Sequence, residues 1–130
     1  MRLTASDDPQ EAAIVLASDE VVALRRALEV ILDGNHIWPV EFETRLGVTV
    51  AEATEVLDQV AGLSTDGEAT LPVTATSLAL LADSLNEVVN GIGLHKIDGS
   101  IGPPELLAEL HASLRNSAVA TRSGRGRGEH

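Results

Sequence analysis

Residues 11–34 and 68–91 align without a gap at a constant offset of 57 positions. Five pairs are identical: Glu11 and Glu68, Ala12 and Ala69, Leu24 and Leu81, Leu28 and Leu85, and Gly34 and Gly91. Apolar character is kept at Ile14 and Leu71, Leu16 and Val73, Val21 and Leu78, Ala23 and Leu80, Ile31 and Val88, and Leu32 and Val89. An unbroken offset that preserves core-type positions predicts one structural unit used twice. A chain of 130 residues suits one compact domain. Two units of that size would each bury too little apolar surface alone, so the halves are expected to share one core.

The unit reads as a strand followed by helices. Leu3 and the apolar run 12–17 predict two strands around the turn-like Asp7-Asp8-Pro9, the second buried on both faces. Ser18 offers an N-cap oxygen, and Asp19 and Glu20 place negative charge on the first turn of a helix over about 19–32. Val21, Leu24, Leu28, Ile31 and Leu32 form its stripe, and Gly34 is placed to end it. In the second copy 69–73 is the strand, with Pro72 favouring an edge. Thr76 or Ser77 caps a helix that ends at Asn90-Gly91. The two strands are expected to pair about the pseudo-dyad. Each half then has a further helix, with Ala53, Val56, Leu57 and Val60 in one and Leu107, Leu110, His111 and Leu114 in the other. Pro103 and Pro104 open the last helix. The short helix VEFETRL occurs only in the first half.

The expected fold is therefore α+β and helix-dominated: two tandem β-α-α units, about 11–62 and 68–114, related by a pseudo-two-fold within a single domain over 1–116. Residues 117–130 lack the apolar side chains that offset ordering entropy, and read as a disordered Arg/Gly tail.

Charge divides the chain. Residues 1–114 carry 19 acidic and five basic side chains, net −14, whereas 115–130 carry net +3. Such a body repels nucleic acid and anionic membrane and accelerates encounter with a basic partner. Without cysteine there is no disulfide, thiol nucleophile or thiolate metal ligand, which points to a reducing cytoplasm. Neither a secretory leader nor a spanning segment is legible.

Residues 40–60, VEFETRLGVTVAEATEVLDQV, place Phe42 and Leu46 on one helix, a turn at Gly47-Val48-Thr49, and Ala53, Val56 and Leu57 on a second. The segment resembles a bacterial helix-turn-helix, and LSTDGEATLPVT after it resembles the hairpin of a winged helix. That resemblance implies a second helix that enters the major groove. Here the helix carries Glu52, Glu55 and Asp58 without Lys or Arg, whereas phosphate contacts need cations, so the expectation is a tri-helical packing solution.

Catalytic patterns are thin. His36, His95, His111 and His130 make no H-x-x-x-H or H-E-x-x-H spacing. A metal site across the dyad from His36 and His95 with Asp98 or Glu41 is weighed against two independent loop histidines, and the latter is the expectation. His111 reads as a core-edge residue. Glu41 and Glu43 diverge on a helix and make a poor acid/base pair. GIGLHKIDGS matches no phosphate-binding loop. No cofactor and no metal are expected.

Trp38 and Phe42, the only aromatic residues, both lie where the two halves differ. Aromatic anchors are enriched at interfaces. The function expected is thus a non-enzymatic, cytoplasmic protein-binding module, acidic and of the immunity or antitoxin type. Its patch for a basic partner protein is Trp38, Glu41, Phe42, Glu43, Glu52 and Glu55. The alternatives are a degenerate winged-helix regulator and a structural or self-assembling component, which a homodimer would suit.

Overall fold

The computed structural model describes residues 1–5, 12–33, 37–93 and 102–127. In chain order the elements are β1 (Arg2–Ala5), β2 (Ala12–Leu16), α1 (Ser18–Leu32), α2 (Pro39–Leu46), α3 (Val50–Ala61), β3 (Ala69–Val73), α4 (Ala75–Asn86), a π turn (Glu87–Gly93) and α5 (Pro104–Arg127). The protein is α+β and helix-dominated, with one small antiparallel sheet ordered β1-β2-β3. No helix among the described residues is long and apolar enough to cross a membrane.

Alternation sets the sheet. Ala12, Ile14 and Leu16 of β2 are buried while Ala13 and Val15 are half-buried, so one face meets the helices and the other does not. The expectation of burial on both faces is corrected: Ala13 and Val15 gave an apolar run, yet the helices pack on one side of the strand. β2 pairs β3 with Ala12 opposite Val73, Ile14 opposite Leu71 and Leu16 opposite Ala69. The expected pairing of the two strands is present, and its centre, Ile14 and Leu71, is a pair equated by the 57-residue offset. Among the described residues β3 is an edge strand, which accommodates Pro72.

Both strand-to-helix junctions use a single linking residue. Ala17 N–H donates to Glu20 Oε1 at 2.8 Å, so the cap of α1 is Ala17 and not Ser18. Glu20 also holds the Met1 ammonium group at 2.9 Å, which satisfies a carboxylate only 8% exposed. At α4 the cap is Thr74 rather than Thr76 or Ser77: Ser77 N–H donates to Thr74 Oγ1 at 3.1 Å, and Thr74 N–H to Ser77 Oγ at 2.8 Å. Helical backbone continues through Asn90 and Gly91 as the π turn instead of stopping there.

One apolar cluster joins both halves. Ile14, Leu16, Leu24, Leu28 and Ile31 from the first meet Leu71, Leu78, Leu81, Leu85, Leu107, Leu110 and Leu114 from the second, all buried. The disordered tail was expected over 117–130, of which 128–130 lie outside the described residues. α5 runs to Arg127, with Ser117 and Ala118 buried on the continuation of its apolar stripe.

Candidate functional site

The segment that distinguishes the halves is built by local rules. Pro39 sits at the first helical position of α2, where its missing N–H costs nothing. Gly47 then adopts φ +77°, and its N–H donates to Glu43 O at 2.8 Å, which turns the chain. Thr49 and Glu52 cap α3 reciprocally: Glu52 N–H donates to Thr49 Oγ1 and Thr49 N–H to Glu52 Oε1, each at 3.1 Å. Phe42, Leu46, Val48, Ala53 and Val60 point into the core. After α3, residues 63–67 form bends rather than a strand, and among the described residues β3 pairs only with β2, so the segment that resembles a wing forms no hairpin of its own there.

The six patch residues separate. Trp38 is 69% exposed, and Val40, unremarked in the sequence, is 81% exposed beside it. Glu41, Glu43, Glu52 and Glu55 are also exposed. Phe42 is not: at 2% exposure it is a core residue, and it leaves the patch. Its spacing of four from Leu46 turns both side chains inward, so the helix that exposes Trp38 and Val40 buries Phe42.

Glu52 and Glu55 come together on a groove between α3 and the β3–α4 corner. Two adjoining hollows of about 250 and 160 Å³ share Glu55, Val56, Thr74 and Ser77. Gln59, Pro72 and Val73 extend one, and Val48, Glu52, Thr76 and Leu80 the other. Trp38, Glu41 and Glu43 are not part of this lining.

The acidic side chains here are uncompensated. Arg2 pairs with Glu68, Arg25 and Arg26 with Glu29, and Arg45 with Glu87. Among the described residues no ion pair involves Glu41, Glu43, Glu52, Glu55 or Asp58. The arrangement offers acceptors and hydroxyls over an apolar floor, suited to binding a cationic group.

A second polar cluster lies between α4 and α5 and was not foreseen. Asp83 of α4 faces His111 and Arg115 of α5, with the Arg45–Glu87 ion pair one turn further along. Burial raises the Asp83 pKa above the ordinary carboxylate value, against the pull of Arg115 and His111 and with a push from Glu87. Burial lowers the His111 pKa and Arg115 adds to it, whereas Asp83 opposes. Desolvation outweighs attraction at both groups, and His111 Nε2 is buried without a hydrogen-bond partner. The signal in the sequence was a pair of i,i+4 spacings of opposite sign, Asp83 with Glu87 and His111 with Arg115.

Among the described residues no cluster of histidines and carboxylates could hold a metal ion. His36, His95 and Asp98, the components of the metal site weighed from the sequence, lie outside the described residues, as does His130. No protein-family model, curated protein or solved structure matches the chain.

Proposed function

We propose that this protein is a non-enzymatic binding module that engages a basic partner protein through the α2–α3 face, in the manner of an acidic immunity protein or antitoxin. The observation that carries the reading is the pairing of an exposed aromatic anchor with unneutralised acid. Trp38 and Val40 project from the start of α2, and the exposed Glu41 and Glu43 of α2 and Glu52 and Glu55 of α3 lack cationic partners among the described residues. An apolar anchor supplies contact area, while the surrounding field raises the encounter rate with a cationic surface. The duplication belongs to the same proposal. Two copies of one unit form the scaffold, as the β2–β3 register centred on Ile14 and Leu71 supports, and the insert between them carries the interface.

The test is capture of a partner from the native source on immobilised protein at low and high salt. Wild-type protein retains one basic protein at about 20 mM salt and releases it at about 500 mM. Trp38→Ala retains much less. A partner held equally by Trp38→Ala, or none at all, removes the reading.

The winged-helix regulator keeps one observation in its favour, the α2–Gly47–α3 turn with its αL glycine and capped second helix. It predicts retardation of duplex DNA in a low-salt mobility-shift assay. Free migration of the DNA eliminates it.

A further inference from the structure

We propose that the free edge of β3, with the groove beside it, takes one extended basic segment of the partner, laid antiparallel to β3 with a lysine or arginine over Glu55. This rests on the protein-binding reading above and assigns it a place and a partner chemistry.

β2 is central, with β1 on one side and β3 on the other, so among the described residues the outer edge of β3 has no partner strand. The β2–β3 ladder is symmetric about Ile14 and Leu71. β1 lies antiparallel along β2, from Arg2 opposite Val15 to Ala5 opposite Ala12. Carried across that symmetry, the position of β1 becomes a strand beside residues 69–72, at the edge that the groove adjoins through Pro72, Val73 and Thr74. What fills the place in the first half is known. At the start of β1 the Met1 ammonium group binds Glu20 at 2.9 Å, and the Met1 side chain packs on the core. Glu20 corresponds to Ser77 at the 57-residue offset, and Ser77 lines the groove. There the negative charge comes from Glu55 and Glu52 of α3 instead. The first half thus holds a strand that begins in a cation, and the second has the matching edge, acid and hollow.

Pro72 narrows the choice of occupant. A proline is tolerated in a strand where its nitrogen faces away from the ladder, so the outer edge presents the Pro72 carbonyl without a donor and both polar groups of Thr70. The edge is rich in acceptors and suits a segment that brings donors. A second copy of this chain fits badly, because it would set two Pro72 rings and two sets of Glu52 and Glu55 against each other. Strand addition of this kind derives affinity from main-chain hydrogen bonds and selectivity from alternate side chains.

The probe is a fluorescein-labelled peptide of about six residues alternating lysine and valine, with an alternating glutamate and valine peptide as control. Anisotropy titrations use the full chain. The basic peptide binds at about 20 mM salt and at least about tenfold more weakly at about 300 mM, and the acidic peptide does not bind. Glu55→Lys weakens binding at least about tenfold. Glu109→Lys, the same charge change on α5, weakens it by less than about threefold. Amide exchange on wild-type protein gains protection at Thr70 when the peptide is bound. Equal binding by Glu55→Lys, equal binding of the acidic peptide, or protection gained at residues 2–5 instead of Thr70 each overturns the proposal. If Trp38→Ala loses the captured partner while Glu55→Lys keeps it, the groove assignment fails and the wider reading stands.

Discussion

Gly47 and Gly62 end successive helices and separate backbone strain from packing. At Gly47 φ is +77° and a Cβ would meet nothing within 4 Å, so the cost of Gly47→Ala is conformational alone, about 1–2 kcal/mol. Gly62 has φ −80°, and a Cβ there would sit 3.5 Å from Asp58 O and 3.6 Å from Gln59 O, ordinary contacts. Gly62→Ala is expected to stabilise by about 0.4–1 kcal/mol, because it removes freedom from the unfolded chain. Urea midpoints at constant slope check both, and a shift of the same sign at the two positions would refute the distinction. The two aromatic residues divide as sharply. Phe42→Ala removes a core ring at a cost of about 3–5 kcal/mol, whereas Trp38→Ala changes stability by less than about 0.5 kcal/mol while weakening partner capture. The spacing of Phe42 and Leu46 already pointed to a shared inward face. Reading every aromatic residue near the insert as an anchor put Phe42 on the wrong side of that helix.

Among the elements, α4 and α5 carry the titrating pair. The His111 pKa is lowered in the fold, first by burial and then by Arg115, with Asp83 opposing. Stability from a depressed histidine is present above its unfolded value, 6.5, and is lost as pH falls through the lower folded value. Asp83 has the opposite sign: its pKa is raised, so its contribution is present below 3.8 and is lost as pH rises through the folded value. Urea titrations across acidic and neutral pH therefore show wild-type stability declining below about pH 6.5, and His111→Gln flattening that decline. Asp83→Asn raises the midpoint at neutral pH, since the burial that opposes its charge exceeds the attraction of Arg115. A fall in that midpoint would mean that the attraction of Arg115 wins and that burial does not govern Asp83. The helices themselves were legible because leucines at helical spacing leave few alternatives. Their ends were not. Thr74-Ala75-Thr76-Ser77 offers three hydroxyls, and only the register with Ser77 three residues after Thr74 makes the reciprocal cap. Ser117 and Ala118 continue the buried stripe of α5 with side chains too small or too polar to register as core in composition.

At the scale of the whole molecule, the offset of 57 residues gave the strand, the first helix and their pairing, since those positions face a shared interior. It could not give the Arg45–Glu87 pair, which joins α2 to the end of α4 across 42 residues, or the groove where α3 passes the edge of β3. Both depend on how elements are placed, and no local pattern encodes that. The shared interior has a consequence that fragments can test. Residues 1–62 contain β1, β2 and α1–α3, and residues 63–130 contain β3, α4 and α5. The cut runs through the β2–β3 ladder and leaves Ile14 and Leu16 without Leu71 and Val73 across from them. Each piece also loses the α1–α4 contact that closes the core. Pieces of this size bury a smaller fraction of their surface than the whole chain and sit near the lower limit for independent folding. Neither fragment alone is therefore expected to unfold cooperatively by circular dichroism, and an equimolar mixture recovers a sigmoidal transition at a lower urea midpoint than the intact chain. A cooperative transition in either fragment alone would show that its half owns a sufficient core, and that the two units are packed neighbours rather than halves of one interior.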